Sequence, residues 1–560
     1  MTRSIISRVA VCCASRRDLV LYVPKGIGMI TDSILMAALS VLSPVGTNDM
    51  TQAVVDAVTN AKPGDSVRLA AGEYHFYAAS ARPMNVYISN HDQNLPRRVQ
   101  LPVCGVRDIA IEGLDEGARF VFHGESTGLM MMDCANVKMS NISFDWAESP
   151  IGEAKIAAFK ANGKPVLDWK VRAFDGEGNA RMLWDAETRA IKPDTGDIFR
   201  MDQANVGDFI SFRSWERPSP AICLYRACGI SFNGVAVHSA HGMGLLAQRS
   251  ADIAWHGGGV FPRKGCLCST KADATHFSNC RGDILVEGAL FEGMMDDAIN
   301  VHSTCLCIVE KLGADRIRCR YMHPQAIGFE VFEPGERLRF IRGRTLENGP
   351  ECIVAAVDRE DDRHVVLTLD EAGAKALADY TVGDAVENAD WQPRVGFFGN
   401  TVRNNRARAA LFTTPKQVVV GNNTFDHVSG SAILLAGDAA NWYESGACRD
   451  VNIQGNTFKD CLTSKYQFCT AVIAVSPTVE DLAAQKTPYH RGIRVIGNTF
   501  DCPGAKLYDA VSAEEVIWQD NTTAARNQSP AAPQGRRGEA AATDSPQGGA
   551  QARRSWPTPR

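Results

Sequence analysis

The chain has 560 residues, of which 45% are hydrophobic, and a formal net charge of −5. A chain of this length can bury a large core, and its weak negative charge, with Lys and Arg spread evenly, argues against nucleic acid or an anionic membrane surface as a partner. The seventeen cysteines are odd in number and form no Cys-x-x-Cys motif. We therefore predict no disulfides, no metal and no other cofactor.

Residues 1–46 are predicted to be poorly ordered or to follow a mis-assigned start codon. They contain an apolar stretch from Ser33 to Val45, which is too short to span a membrane and lacks the preceding basic region of a clean signal peptide. The compartment therefore stays open. A mis-assigned start would allow a secreted or periplasmic protein, and otherwise the chain is expected in the cytoplasm.

The first repeat-like element is an amphipathic stretch from Met50 to Ala61, followed by a turn and a strand over residues 63–69. This order commonly opens a β-helix. Short stretches then alternate apolar and polar residues and end in Gly or Asn, which predicts strands with tight corners. These stretches begin at Ile109, Val137, Ile230, Ile253 and Ile284.

The clearest repeat lies in the C-terminal third, where the pattern apolar-x-apolar-x-Gly-Asn-x-Phe recurs with variations. Its asparagines are Asn400, Asn423, Asn456, Asn498 and Asn521, at intervals of 23, 33, 42 and 23 residues. A fixed minimum with variable insertions indicates a solenoid. A leucine-rich repeat would require leucine at most inward positions, whereas Val, Ile, Phe and Cys share them here. We predict an all-β chain, a right-handed parallel β-helix over residues 47–523.

Two segments interrupt this repeat, at residues 152–215 and 304–392. Each holds several short alternating strands and closes on a Val-Gly-Asp turn followed by an apolar strand, so we predict two small inserted β-barrels, the second forming a wall over the site. The tail, residues 524–560, is rich in Ala, Pro, Gln, Gly, Ser and Arg. It cannot bury enough apolar surface to order itself and is predicted to be disordered.

The candidate catalytic residues are Asp273 and the pair Asp296 and Asp297. Asp273 and Asp296 are 23 residues apart, one minimum period, so they are predicted to stack on adjacent coils about 4.8 Å apart. Stacked carboxylates repel and cost stability, but such a pair supplies the acid and the base that glycoside hydrolysis needs. Inversion of the sugar would require them to splay to about 6.5–9.5 Å.

Neighbouring polar and aromatic residues are candidates for substrate binding. His276, Asn300 and His302 lie close to the three aspartates in sequence, and Asp145 could hydrogen-bond sugar hydroxyls. Three tryptophans are candidates for stacking on a pyranose face. They are Trp146, Trp255 and Trp391.

Other uses of the acidic residues stay open from the residues alone. Aspartates often cap corners, and clustered acids bind calcium in β-helical polysaccharide lyases, for which Lys271 could be the base. A non-catalytic carbohydrate-binding adhesin or tail-spike-like stalk is a further alternative. The hydrolase, lyase and adhesin hypotheses all predict a carbohydrate as the partner. They also allow a homo-oligomer.

Five motifs between Val86 and Thr304 resemble glycoside hydrolase family 110, exo-acting α-galactosidases that remove terminal α-1,3-linked galactose. The matching stretches are residues 87–93, 122–124, 241–248, 272–277 and 294–302. The resemblance implies a β-helix with inserted barrels, an inverting reaction, and catalysis by Asp273, Asp296 and Asp297. Gln248, the last residue of one stretch, is predicted to bind substrate. Ala274 and Ser303 depart from the family pattern.

Polygalacturonases of glycoside hydrolase family 28 offer a similar geometry. They also place one aspartate a coil before an Asp-Asp pair and also invert. They normally add Gly-His-Gly and Arg-x-Lys on the following coils, and neither motif occurs after Asp297. A polygalacturonase-like hydrolase is therefore the second hypothesis.

Overall fold

A computed structural model describes residues 41–171, 180–195, 201–464 and 469–524. The predictions for residues 1–40 and 525–560 lie outside these ranges. Strand pairing begins with a parallel bridge between Leu42 and Leu69 and ends with the strand Thr522–Thr523. None of the helices among the described residues is long and apolar enough to cross a membrane.

The chain winds through three long, almost wholly parallel sheets, which confirms the predicted parallel β-helix. Sheet A has eleven strands, in the order Ser66–Leu69, Arg107–Gly113, Ala135–Ser140, Cys228–Asn233, Ala251–His256, Arg281–Glu287, Arg394–Phe398, Gln417–Gly421, Asp450–Gln454, His490–Ile496 and Ala513–Gln519. Sheet B has eleven strands, Gly72–Tyr77, Ala118–His123, Ile142–Trp146, Ala236–Val237, Gly259–Val260, Leu290–Glu292, Thr401–Asn405, Thr424–Val428, Thr457–Lys459, Thr499–Asp501 and Thr522–Thr523.

Sheet C carries the functional residues discussed below. Its twelve strands are Arg82–Met84, Arg97–Cys104, Thr127–Met132, Ile222–Tyr225, Leu245–Gln248, Thr275–Ser278, Ile299–Thr304, Ala410–Phe412, Ile433–Leu435, Ile473–Val475 and Tyr508–Ala510, with Glu444–Ser445 paired off the main path. Only Arg82–Met84 and Glu444–Ser445 pair antiparallel. Along each strand alternate side chains point inward, so one continuous apolar core fills the coil interior.

The helix Thr51–Thr59 covers the N-terminal end of this core. Val54, Val55 and Val58 lie on one face and are buried, as the amphipathic pattern predicted. The other helices in the described ranges are short: Glu371–Leu377, and the 3-10 turns Ala78–Ser80 and Met201–Gln203.

The repeated asparagines form a ladder at the corner between sheets A and B. The backbone N–H and the Nδ2 of Asn423 both donate to Oδ1 of Asn456, each at 2.9 Å, and Nδ2 also donates to the Phe397 carbonyl. The same pattern joins Asn400 to Asn423, Asn456 to Asn498 and Asn498 to Asn521. The backbone N–H and Nδ2 of each rung from Asn400 to Asn498 therefore find an acceptor on the next rung.

Asn456→Ala is expected to destabilise the protein by about 2 kcal/mol, because it leaves the buried donors of Asn423 without an acceptor. Asn521→Ala removes the last rung, whose bonds to Asn498 are only partly buried. Water can replace the lost acceptor there, so a smaller loss of stability is expected. Urea unfolding followed by circular dichroism measures both. Equal losses of unfolding free energy at the two positions would contradict this dependence on burial.

The two insertions differ in form. The second is a closed six-stranded barrel, with strands in the order Leu306–Lys311, Arg316–Arg320, His364–Leu369, Asn348–Arg359, Arg337–Ile341 and Ala385–Asn388. The first, in its described residues, is a four-stranded antiparallel sheet in the order Pro165–Val171, Gly152–Phe159, Phe209–Arg213 and Ala180–Trp184. Among the described residues, Pro165–Val171 pairs with one strand, and Ala180–Trp184 pairs with one strand and through a bridge with Ile191. A closed barrel over residues 152–215 stays a prediction.

Candidate active site

The three aspartates lie at the corner where the chain passes from sheet B into sheet C, on consecutive coils. Thr275 pairs with Ile299, 24 residues further on, and not 23 as the minimum repeat predicted. Asp297 therefore lies directly beside Asp273, and its backbone N–H donates to Asp273 Oδ1 over 3.3 Å. Asp296 lies one residue before Asp297 on the same coil. One carboxylate oxygen of each aspartate lies within 4.8 Å of the other two.

Two arginines contact the pair of aspartates from outside their coil. Arg217 Nη2 donates to Asp296 Oδ2 over 2.7 Å. Arg408 donates to Asp297 twice, from Nη2 to Oδ2 over 2.8 Å and from its backbone N–H to Oδ1 over 3.1 Å. Arg217 follows the first insertion in sequence and Arg408 follows the barrel. Residues that the two insertions separate in sequence therefore meet in one site.

The surroundings separate the pKa values of the three aspartates. Burial raises the pKa of Asp273 to about 8, and Asp296 adds to the rise. Burial alone would also raise the pKa of Asp296, but the arginines around it, led by Arg217 and Arg408, hold it at about 2. Burial raises the pKa of Asp297, and Arg408 opposes the rise. One corner thus holds a firmly ionised carboxylate beside one that keeps its proton at neutral pH.

Two histidines predicted as binding residues extend outward from Asp273. His276 Nδ1 lies 2.6 Å from Asp273 Oδ2, and His276 Nε2 lies 2.7 Å from His302 Nε2. His302 Nε2 also lies 3.5 Å from Glu444 Oε1. Glu444 belongs to the short strand that pairs with the end of Ile299–Thr304. No local pattern indicated Glu444, because it belongs to a corner insertion more than a hundred residues after His302.

The opposite wall is a segment of residues 87–93. Asn90 Nδ2 donates to Glu444 Oε1 over 3.0 Å. Gln248 is fully buried, its Oε1 accepts from the Ser89 N–H over 2.6 Å, and its Nε2 donates to the Tyr87 carbonyl over 3.3 Å. Gln248 therefore holds the segment in place through both ends of its amide.

Asn300 is placed as a binding residue would be. It pairs in register with His276 on the next coil of sheet C and is 4% exposed. Its Oδ1 has no hydrogen-bond partner among the described residues, and neither has Oδ1 of Asn90. Buried acceptors are rarely left unpaired, so both are suited to receive hydroxyl donors from a ligand.

The structure places Asp145 and Trp146, two predicted binding residues, in the packed interior. Asp145 is buried and accepts from Ser239 Oγ over 2.7 Å, and Arg263 Nη2 lies 3.1 Å from it. The Trp146 ring is buried in the coil core and stacks on Phe122. Both residues therefore fix sheet B, since a buried ring cannot offer its face to a sugar.

The other tryptophans predicted to stack also serve packing. Trp255 is in the core against Phe232, and the Trp391 ring lies between two arginine side chains. The tryptophans near the aspartates are different ones. Trp442 stacks on His323 at 3.8 Å and lies beneath Arg217. Trp215 is 50% exposed, with the Arg406 guanidinium 5.6 Å from its ring. Trp215 ends the first insertion and Trp442 lies within a corner insertion, and the strand pattern does not predict positions in either.

A cation could in principle be held by the aspartate cluster, or by His276, His302 and Glu444, whose ligand atoms also lie within 4.8 Å of one another. Calcium requires six to eight oxygen ligands, and Arg217 and Arg408 already occupy the carboxylate oxygens with positive charge. Lys271, the candidate lyase base, donates to Ser214 Oγ over 2.6 Å. The arrangement thus favours acid–base chemistry by aspartates.

The fold and this site define a β-helical glycoside hydrolase. Residues 316–386 match the family model described as GLAA-B beta-barrel domain II. An α-1,3-galactosidase B of Akkermansia muciniphila is 42% identical, over 82% of this chain and 62% of that protein. An α-1,3-galactosidase B of Parabacteroides distasonis is 36% identical, over 83% of each chain. The chain belongs to the α-1,3-galactosidases of glycoside hydrolase family 110.

The chain spans less than two thirds of the length of the Akkermansia relative. Among solved structures, the catalytic unit of an α-1,3-glucanase from Streptomyces thermodiastaticus aligns with 86% of this chain and 58% of that one, at 12% identity. Its TM-score of 0.35 is too low to support an inference.

Proposed function

We propose that the chain removes terminal α-1,3-linked galactose from glycans, with Asp273 as the general acid, Asp296 as the base that activates water, and Asp297, held by Arg408, completing the cluster. The observation that carries this proposal is the buried cluster of three carboxylates with opposed pKa shifts. An acid must hold a proton at neutral pH and a base must not. Asp273 meets the first condition and Asp296 the second.

An exo mode of action is supported by the enclosure of the cluster. Asp273, Asp296 and Asp297 are 3%, 7% and 0% exposed, and the barrel approaches from one side, where Gln325 Nε2 donates to Asp92 Oδ1 over 2.7 Å. A site this closed admits the end of a glycan more readily than its middle. The free oxygens of Asn90 and Asn300 are available to the hydroxyls of that terminal sugar.

The separation of the carboxylates differs from the splayed pair we expected. Oxygens within 4.8 Å of one another are closer than the roughly 6.5–9.5 Å of most inverting pairs and nearer to the roughly 5–5.5 Å of retaining ones. We still propose inversion, as the resemblance to family 110 implies. Asp296 and Asp297 are also engaged by arginines, which makes their oxygens poor nucleophiles towards carbon.

A panel of sugars tests this function. The chain is expected to hydrolyse p-nitrophenyl α-galactoside and Galα1-3Gal, and to leave polygalacturonate and p-nitrophenyl β-galactoside unchanged. Proton NMR of the first-formed sugar should show β-galactose before mutarotation. α-Galactose appearing first would overturn inversion, and cleavage of polygalacturonate alone would favour the polygalacturonase hypothesis.

A further inference from the structure

A continuous hydrogen-bonded chain runs from Asp273 through two histidines to a backbone carbonyl. Its three contacts are Asp273 Oδ2 to His276 Nδ1 at 2.6 Å, His276 Nε2 to His302 Nε2 at 2.7 Å, and His302 Nδ1 to the Ser303 carbonyl at 2.9 Å. All three side chains are buried. Each contact needs one hydrogen between its two heavy atoms, so the protons can be assigned from the outer end.

The Ser303 carbonyl can only accept, so His302 must carry its hydrogen on Nδ1. In a neutral His302 the Nε2 is then a lone pair, and the contact at 2.7 Å requires His276 to hold its hydrogen on Nε2. In a neutral His276, Nδ1 is therefore also a lone pair, facing a carboxyl oxygen at 2.6 Å. With both histidines neutral, that contact is attractive only when Asp273 itself holds the proton.

The same hydrogens allow two other arrangements, both with an ionised Asp273. In one, His276 is an imidazolium that donates from both ring nitrogens. In the other, His276 carries its hydrogen on Nδ1 and His302 is an imidazolium beside Glu444. Burial disfavours this separation of charge, and burial lowers the pKa of His276 to about 4 and that of His302 below its usual value. The neutral chain with a protonated Asp273 is the arrangement that the surroundings favour.

We propose that His276 and His302 form a proton-positioning relay, anchored by the Ser303 carbonyl, that keeps the general-acid proton on Asp273 between turnovers. This inference rests on the proposed function. When Asp273 gives its proton to the leaving oxygen, one hydrogen remains for two contacts, and one contact becomes lone pair against lone pair. Uptake of one proton from solvent by Asp273 restores both contacts. His302 is a positioning residue, since it acts on Asp273 through His276.

Other charged groups also face Asp273. Asp296 and Glu444 raise its pKa, and Arg217 and Arg408 lower it. Asp297 lies on the adjacent coil. A substitution at position 302 leaves these groups in place, so a comparison of variants at that position isolates the contribution of the relay.

The test compares His302→Leu with His302→Gln by the pH dependence of kcat/KM on Galα1-3Gal. Leucine offers no acceptor, so His276 can move its hydrogen to Nδ1 and donate to an ionised Asp273. The high-pH limb is expected to move down by about one pH unit or more. The glutamine oxygen can still accept from His276 Nε2, so its limb should stay nearer that of the wild type. His427→Leu, a histidine on a sheet B strand, is the matched control and should not move the limb.

A second readout does not depend on turnover. Infrared titration follows the protonated carboxyl band that Asp273→Asn removes, and His302→Leu should lower its midpoint by the same amount. An unmoved midpoint and an unmoved limb would overturn the relay. Failure of the wild type to cleave any α-galactoside would instead refute the proposed function, and the infrared result would still decide the relay. If His302→Leu does not fold, His276→Gln, whose amide can donate to an ionised Asp273, replaces it with the same expected shift.

Discussion

Asp273→Asn is expected to lower kcat on Galα1-3Gal by about 10²–10⁴-fold, the usual contribution of a general acid. An amide has nearly the shape of the carboxyl group but cannot protonate the leaving oxygen. An activated aryl α-galactoside, whose leaving group needs no proton, should lose far less. Asp296→Asn should lose activity on both substrates, because attack by water is needed for either.

The comparison of substrates separates a chemical role from a structural one. Asp283→Asn is the control, since Asp283 lies on sheet A in an exposed pair with Arg394 and should leave both activities unchanged. Steady-state kinetics with circular dichroism of each variant gives the measurement. If Asp273→Asn were equally impaired on both substrates, Asp273 would not be the acid.

Arg408→Gln is expected to destabilise the fold by about 3–5 kcal/mol, the usual effect of removing one partner from a buried ion pair. The substitution leaves Asp297 without its two-point contact and removes one of the positive charges that hold the pKa of Asp296 at about 2. Activity should fall as well, because Asp296 then becomes less firmly ionised. Urea unfolding at neutral pH measures the loss.

The pH dependence of this loss has a definite sign. A carboxylate whose pKa is lower in the folded state contributes stability above its unfolded value, 3.8 for Asp296, and that contribution disappears as the pH falls towards about 2. The difference between wild type and Arg408→Gln should therefore narrow over that interval. Arg394→Gln breaks an exposed pair and should cost less than about 1 kcal/mol. A similar loss in both variants would contradict a special role for Arg408.

The repeat was predictable because strand alternation and corner asparagines are local properties. Val, Ile and Phe at every second position indicate inward faces, and the Gly-Asn corner repeats whatever lies between. The predicted pairing register at the site was wrong by one residue. The 23-residue minimum holds between Asn400 and Asn423, but Thr275 pairs with Ile299, 24 residues further on. A repeat length measured in one part of a solenoid does not fix pairing in another.

The arginines and Glu444 could not be found from local pattern. Arg408 lies 111 residues after Asp297, and Ala410 lies the same distance after Ile299, with which it pairs. Removing the barrel from the sequence would therefore have placed Arg408 one coil beyond Asp297. Trp442 and Glu444 come from a corner insertion, and nothing in their neighbourhood indicates where it folds. The burial of Asp145 and Trp146 could not be predicted, because sequence shows residue type but not which side of a strand meets the core.

The asparagine ladder has an evolutionary consequence. Because each rung fixes only the corner between sheets A and B, the lengths of the other two corners are free to change without disturbing the stack. The intervals of 33 and 42 residues between rungs are insertions accommodated in this way, and one of them delivers Glu444 to the carboxylates. Loops at the other two corners can therefore change in length with little loss of stability. In such a scaffold, substrate specificity can diversify more easily than the catalytic residues can change.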